Sequence, residues 1–282
     1  MKYYVLYNPI AGNGACSNKN ENLKKLYGDN SLFFDVTKID DYKDIVGKLS
    51  ADDVLVISGG DGTLNRFIND TADINIENEI LYFAAGSGND FLRDIEGAKA
   101  DEPFSLKKYI KDLPRVEVNG KAYRFINGVG YGVDGYCCEV GDKLRATSDK
   151  PVNYTGIAIK GVLFHFKPAN AVVTVDGVKH EYKKVWIAPT MKGRYYGGGM
   201  MPTPAQDRLS DTHEVTAMVW HGIGKIRTLM AFPSIFKGEH IKHKKFVELH
   251  TGHEISVEFD RPTALQIDGE TIVGVMGYKV HA

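Results

Sequence analysis

The stretch VLVISGGDGTLNRFIND, residues 54–70, constrains the fold of this 282-residue chain more than any other. Val54 to Ile57 read as a strand, and Gly59, Gly60, Asp61, Gly62 and Thr63 follow it. An Asp-Gly pair between apolar runs is a strong hairpin signal. A hairpin needs a second strand with period-two alternation, whereas Leu64, Phe67 and Ile68 fall at i, i+3 and i+4. The unit is therefore predicted to be strand, glycine loop, helix.

The first third of the chain repeats that rhythm. Strands are predicted over 3–7, 32–36, 54–57 and 80–83, with helices near 20–27 and over 40–49, where Ile45, Val46 and Leu49 share a face. Strands alternating with helices imply a parallel, doubly wound sheet. After Pro114 the texture changes. Hairpins are predicted over 116–125, turning at Asn119-Gly120, and over 171–180, turning at Asp176-Gly177. Further strands are expected over 184–188, 215–220, 246–250 and 255–259, with helices over 154–166 and over 223–236, the latter broken at Pro233. The second part is thus mainly antiparallel.

Charge narrows the partners. Thirty-five basic residues against 36 acidic ones leave a formal net charge of −1, so there is no global electrostatic case for nucleic acid. Cys16, Cys137 and Cys138 form neither a zinc pattern nor an even-numbered disulfide framework, which suits a reducing, cytoplasmic compartment. No run approaches the ~18 to 20 apolar residues that span a bilayer. A soluble protein is expected, one still able to touch a membrane surface.

In an open parallel sheet, ligands bind beyond the carboxyl ends of the strands. Three glycine loops are predicted there: Asn8 to Gly14, Gly59 to Thr63, and Ala85 to Asp90. Glycine lets backbone approach phosphate oxygens, amides at a helix start donate to them, and a neighbouring Asp can hold Mg²⁺. Any one such loop is ordinary turn chemistry. Three in succession, two carrying Asp, point to a nucleotide-phosphate site. The Gly-Lys pairs lack a following Ser or Thr, which excludes Walker A. Gly130, Gly132 and Gly135 match the dinucleotide fingerprint GxGxxG, but in the antiparallel part, so they are read as a decoy. Asp268-Gly269 reads first as a hairpin turn, and a carboxylate there or at Glu270 could take a proton from a substrate hydroxyl.

Asn8-Pro9 with Gly12, the run Gly59 to Asn65, the run Gly86 to Phe91, and Asp268 to Glu270 resemble, in order and spacing, the diacylglycerol kinase catalytic-domain family, related to NAD kinases and phosphofructokinases. The resemblance covers essentially the whole chain. It implies a nucleotide-binding α/β domain over 1–114, an antiparallel β-sandwich lipid domain over 115–271, and a tail over about 272–282 that packs back on the first domain. It implies ATP contacts from Asn8, Pro9, Ile10, Ala11, Gly12, Thr37, Gly59, Gly60, Asp61, Gly62, Thr63, Leu64, Asn65, Arg66 and Ser87. Gly86, Gly88, Asn89 and Asp90 would serve the phosphate or substrate side. Asp61 would organise the phosphates and Mg²⁺, and Glu270 would accept the proton of a lipid hydroxyl, with Asp268 as the alternative base.

The chain also departs from the family pattern. Arg66 stands where many members have Glu, and a second Mg²⁺ region, expected as Pro-x-Ala…Asp-Gly-x-Leu-Asp, offers only Ser210, Asp211 and Glu214. Residues 226–236 are apolar, with Lys237, Lys242, Lys244 and Lys245 following, and suit either a core helix or a segment resting on an anionic bilayer. The expected activity is ATP- and Mg²⁺-dependent phosphorylation of a lipid alcohol at the inner face of the membrane, by a monomer or homodimer. NAD phosphorylation and a catalytically inactive nucleotide-binding regulator are the alternatives.

Overall fold

The computed structural model describes residues 1–11, 15–86, 88–148 and 152–282. They fall into two compact units, Met1–Asp112 and Leu113–Ala282. The first contains β1 (Tyr3–Tyr7), α1 (Ala15–Tyr27), β2 (Ser31–Asp35), α2 (Lys43–Val46), β3 (Val54–Gly59), α3 (Asp61–Asp70), β4 (Glu79–Ala84), α4 (Asp90–Asp94), β5 (Phe104–Ser105) and α5 (Lys107–Ile110). Among the described residues its sheet has the order β2-β1-β3-β4-β5. The first four strands are parallel, as alternation requires, and β5 closes the edge antiparallel to β4. β3 is buried along its whole length, which explains why it reads as a continuous apolar run.

Helix α2 is shorter than the predicted 40–49. The Asp41 carboxylate accepts the Lys43 N–H at 2.8 Å, so the helix starts late, and it ends at Gly47, whose N–H bonds back to Ile45 and Lys43. Leu64 and Phe67 are buried against the sheet, as the i, i+3, i+4 spacing predicts.

The second unit contains β6 (Arg115–Val118), β7 (Lys121–Arg124), β8 (Gly128–Tyr131), α6 (Val133–Arg145), α7 (Tyr154–Lys160), β9 (Ala169–Val175), β10 (Val178–Val185), β11 (Thr190–Met191), β12 (Val215–Trp220), α8 (Lys225–Ala231), β13 (Val247–Gly252), β14 (Glu254–Ile267) and β15 (Glu270–His281). The strands are antiparallel, in the order β13-β12-β11-β8-β14-β15-β6-β7, with β9 added on β14 and β10 on β9. β14 serves two neighbours: residues 255–259 pair with β9 and residues 265–267 with β8, across register shifts between Glu258 and Leu265. Such irregularities bend a strand. Val116 from β6, Val173 from β9, Val215 from β12 and Leu265 from β14 share one buried core, so the sheet wraps on itself as a sandwich.

The three Asn-Gly and Asp-Gly turns are where the sequence puts them. Asn119, Asp176 and Asp268 and the glycine after each have positive φ, the geometry of a two-residue hairpin. Three readings need correction. Residues 184–188 are not one strand: Lys184 has φ 55°, the β9–β10 register shifts between Tyr182 and Val185, and Ile187 makes isolated bridges to Gly132 and Trp220. The second unit does not end at residue 271: residues 272–281 belong to β15 and pair with β14 and β6 within it. Helix α6 was not foreseen, because its buried face is made of Val133, Asp134, Gly135, Cys137 and Gly141 rather than large aliphatics. A Cβ on Gly135 would lie 2.0 Å from the Ala264 carbonyl oxygen, so α6 reaches β14 only because glycine stands there.

Candidate active site

The carboxyl ends of β3 and β4 meet back to back. A Cβ on Gly86 would lie 2.4 Å from the Gly60 Cα, and one on Gly59 would lie 2.5 Å from the Thr63 side chain. The glycine pattern is thus a packing requirement between two loops as well as an opening for a ligand. Asp61, the first residue of α3, fastens them. Its Oδ2 accepts the Asp90 N–H at 2.7 Å and its Oδ1 accepts the Phe91 N–H at 3.1 Å. α4 therefore has its first amides satisfied by a carboxylate from the neighbouring loop, while Asn89 at its own cap position donates Nδ2–H to the Gly86 carbonyl at 2.8 Å. Asn89 has φ 50°, and its Oδ1 is buried without a hydrogen-bond partner among the described residues.

The first loop joins the same floor. Asn8 donates its backbone N–H to the Ser58 carbonyl at 3.1 Å and its Nδ2–H to Thr63 Oγ1 at 3.0 Å, and its Oδ1 accepts the Ile10 N–H at 3.2 Å. Lys19, on α1, donates to the Ala84 carbonyl at 3.2 Å and so brings a cation to the end of β4. It was missed as a site residue; its signal is position, in the helix that follows the first glycine loop and next to Asn20, which accepts the Ser58 hydroxyl at 2.7 Å.

The other predicted residues divide. Gly12 and Ser87 lie outside the described residues. Pro9 is partly covered, Ile10 is exposed, and Ala11 donates its N–H to the Asn8 carbonyl at 3.1 Å. Thr37 follows β2, and both its hydroxyl and its N–H donate to Asp35 Oδ1, at 2.7 and 2.9 Å. The Thr37 hydroxyl is the main reason that the Asp35 carboxyl is held below its ordinary range. Gly62 and Thr63 form the first turn of α3. Leu64 is wholly buried, so its side chain is core and offers no surface to a nucleotide, and the Asn65 side chain accepts from Asn69. Arg66 points outward and pairs with Asp70 at 3.3 Å. Gly88 faces the Asp61 carboxylate, and Asp90 is buried with its Oδ1 accepting from Arg93 at 3.2 Å.

In the second unit Asp268 occupies a nest of amides. Its Oδ2 accepts the Ile126 N–H at 2.6 Å, and its Oδ1 accepts those of Asn127 and Gly128, both at 2.9 Å. Arg208, also buried, supports the same segment by donating to the Ile126 carbonyl at 3.0 Å and to Asn127 Oδ1 at 3.2 Å. Glu270, two residues further on, opens β15 opposite Ile267, and is exposed.

Asp134 lies inside the GxGxxG run. Both of its oxygens are buried, and among the described residues neither meets a donor in good hydrogen-bond geometry. One occupies the space a Gly130 Cβ would need, beside the Gln266 amide. Burial pushes the Asp134 carboxyl up to about 6, opposed by weaker interactions with the Gly135 amide and the Tyr196 hydroxyl. The run does lead a strand into a helix, but β8 is antiparallel to both neighbours, so it is no dinucleotide βαβ unit.

Ser210 bonds to Thr212 at 2.9 Å, and these two with Asp207 and Glu214 line a pocket of about 350 Å³. Asp211 is exposed. Among the described residues no three His, Cys, Asp or Glu side chains converge as a metal site.

The fold and the glycine floor define a class: two-unit proteins in which an α/β unit with paired glycine loops precedes an antiparallel β-sandwich. The chain belongs to the diacylglycerol kinase catalytic-domain family: residues 2–116 match the diacylglycerol kinase catalytic domain, and residues 127–280 match the YegS C-terminal NAD kinase beta sandwich-like domain. A diacylglycerol kinase of Mycobacterium tuberculosis is 25% identical over 198 residues, 67% of this chain and 62% of that protein. YtlR of Bacillus subtilis, named provisionally as a lipid kinase, is 25% identical over 57% of this chain and 56% of its own length. The match therefore spans less than two thirds of either relative. A crystal structure of a Bacillus anthracis diacylglycerol kinase superposes with a TM-score of 0.61 at 17% identity, covering 99% of this chain and 93% of that one, which establishes the fold.

Proposed function

We propose that the chain transfers the γ-phosphoryl group of ATP to the hydroxyl of a lipid alcohol such as diacylglycerol. The observation that carries this reading is the Gly60–Gly86 contact fastened by Asp61, which leaves two glycine loops and the start of α3 at the carboxyl ends of adjacent parallel strands. Backbone amides there are fixed before any ligand arrives, the condition for stabilising a transferring phosphoryl group without reorganisation.

A carboxylate has lone pairs for about four hydrogen bonds, so Asp61 can hold two amides and still face a cation. Mg²⁺ usually takes one or two carboxylates together with phosphate oxygens and water, and the floor fits that demand. Bound there, Mg²⁺ and ATP would supply the phosphoryl group and neutralise its charge. Lys19 adds positive charge at the same strand ends. Asp268 spends its oxygens on three amides, which leaves Glu270 as the better proton acceptor for the lipid hydroxyl.

The test incubates the protein with γ-labelled ATP, Mg²⁺ and mixed micelles of diacylglycerol, monoacylglycerol, sphingosine, ceramide or phosphatidylglycerol. Label is expected in the lipid phase, with loss of turnover but not of ATP binding in Glu270→Gln. Transfer to NAD and to none of the lipids would replace this reading, and ATP binding without transfer to any acceptor would make the chain a regulator.

A further inference from the structure

Among the described residues of the second unit, the most exposed large apolar side chains are Met230 at 79%, and Phe164 and Ile226 at 72% each. They come from two segments that meet. Ile226 and Met230 are i and i+4 on α8 and share its outer face, while Thr228 and Leu229 turn inward. Phe164 stands on the wide helical turn Gly161–His165 that continues α7, and Lys225, the first residue of α8, donates its Nζ–H to the Leu163 carbonyl at 2.6 Å. The inner faces of both segments are anchored: Ile157, Ala158 and Leu229 pack on a core containing Trp186 and Trp220. From Phe232 the chain tightens into a 3₁₀ turn that includes Pro233 and presents Phe236 before it ends at Gly238, with φ 67°.

The charge on these segments is one-sided. Residues 152–168 and 223–246 contain Lys160, Lys167, Lys225, Arg227, Lys237, Lys242, Lys244 and Lys245 against one acidic residue, Glu239, which is tied to Lys242 at 3.0 Å. The whole chain carries −1, so this excess is local. A protein interface is depleted in Lys at its centre, and a twofold contact through this face would set like charges against each other. Exposed apolar side chains on segments this rich in cations match the boundary between anionic headgroups and acyl chains.

We propose that this face, Phe164 with Ile226 and Met230 among the basic residues of the two segments, docks the second unit on an anionic bilayer. The inference deepens the lipid-kinase reading by naming the side that meets the lipid, but its test needs neither ATP nor turnover. Vesicles of phosphatidylcholine, alone or mixed with phosphatidylglycerol, are floated with the full chain. Binding is expected only to the mixed vesicles and is expected to weaken with salt. Lys244→Ala and Lys245→Ala should each lower it about fivefold, the equivalent of about 1 kcal/mol per charge. Phe164→Ser, Ile226→Ser and Met230→Ser together should lower it at least tenfold while the thermal unfolding curve of the protein is kept.

Equal binding to both vesicle types, or binding unchanged by the triple variant, overturns the proposal. So does a concentration-dependent dimer that the triple variant dissolves without any vesicle binding by wild type, since the face would then belong to a second copy. Vesicle binding without phosphoryl transfer defeats the kinase reading alone. Transfer in micelles without vesicle binding defeats this one alone.

Discussion

Asp61 and Asp134 both follow a glycine-rich strand end, and they are treated in opposite ways. Asp61 gives both oxygens to the amides of the neighbouring loop, much as Asp268 gives its own to residues 126–128. Asp134 is buried with only weaker approaches, from the Gly135 amide and the Tyr196 hydroxyl. A carboxylate holding amides is architecture that stabilises as an anion, whereas one whose burial outweighs its weaker contacts, as at Asp134, stabilises more while protonated. The same residue type therefore fixes geometry in one place and creates a pH-sensitive weakness in the other.

The strongest way to break that contrast is Asp268→Ala. Three buried amides lose their acceptor, and since each orphaned donor costs about 1 to 3 kcal/mol, unfolding free energy should drop by about 3 kcal/mol or more. Denaturant titration measures it; a drop below about 1 kcal/mol would mean the nest is satisfied some other way.

Asp134→Asn should act with the opposite sign. The folded carboxyl sits near 6 against an ordinary 3.8, so between those values the native state holds more protons than the unfolded one and stability falls as pH rises. The loss is complete above about pH 6 and amounts to roughly 3 kcal/mol from the size of the shift. The variant should flatten that pH dependence and melt higher than wild type at pH 8. A wild-type melting profile with no decline from pH 4 to 7 beyond that of the variant would contradict the account.

Gly86→Ala probes the floor itself. Its Cβ would sit 2.4 Å from backbone that has no side chain to move, so the loops must separate. ATP affinity by calorimetry should weaken at least tenfold, about 1.4 kcal/mol, with the rest of the unit still folded. Unchanged affinity would remove the glycine floor from nucleotide binding. The smallest effect is expected from Arg66→Ala: its pairing with Asp70 is exposed, and stability should change by no more than about 0.5 kcal/mol. A larger loss, or a tenfold loss of ATP affinity, would show that Arg66 reaches the phosphates.

What the sequence disclosed follows from the range of each signal. The hairpin turns at Asn119, Asp176 and Asp268 and the strand-to-helix turn at Gly60 are set by neighbours a few residues away, and all were legible. Helix α6 was not, because Gly135 and Gly141 lower helix propensity and their reason lies across the fold, at Ala264 and Tyr154. The same holds in the candidate site. The glycine loops announced themselves, while Lys19, Asn127 and Arg208 matter through partners 65 to 141 residues distant, which no local pattern encodes. Asp134 was visible inside a motif and set aside with it; only its deep burial distinguishes it from an ordinary helix-start acid.

The most direct measurement of the central claim is phosphoryl transfer followed in parallel for wild type and Glu270→Gln, with ATP binding measured on both. The account predicts label in the lipid phase for wild type, a fall in turnover of about a hundredfold or more in the variant, and ATP affinity within about twofold of wild type. Label in no lipid, or equal turnover by the two proteins, would contradict it.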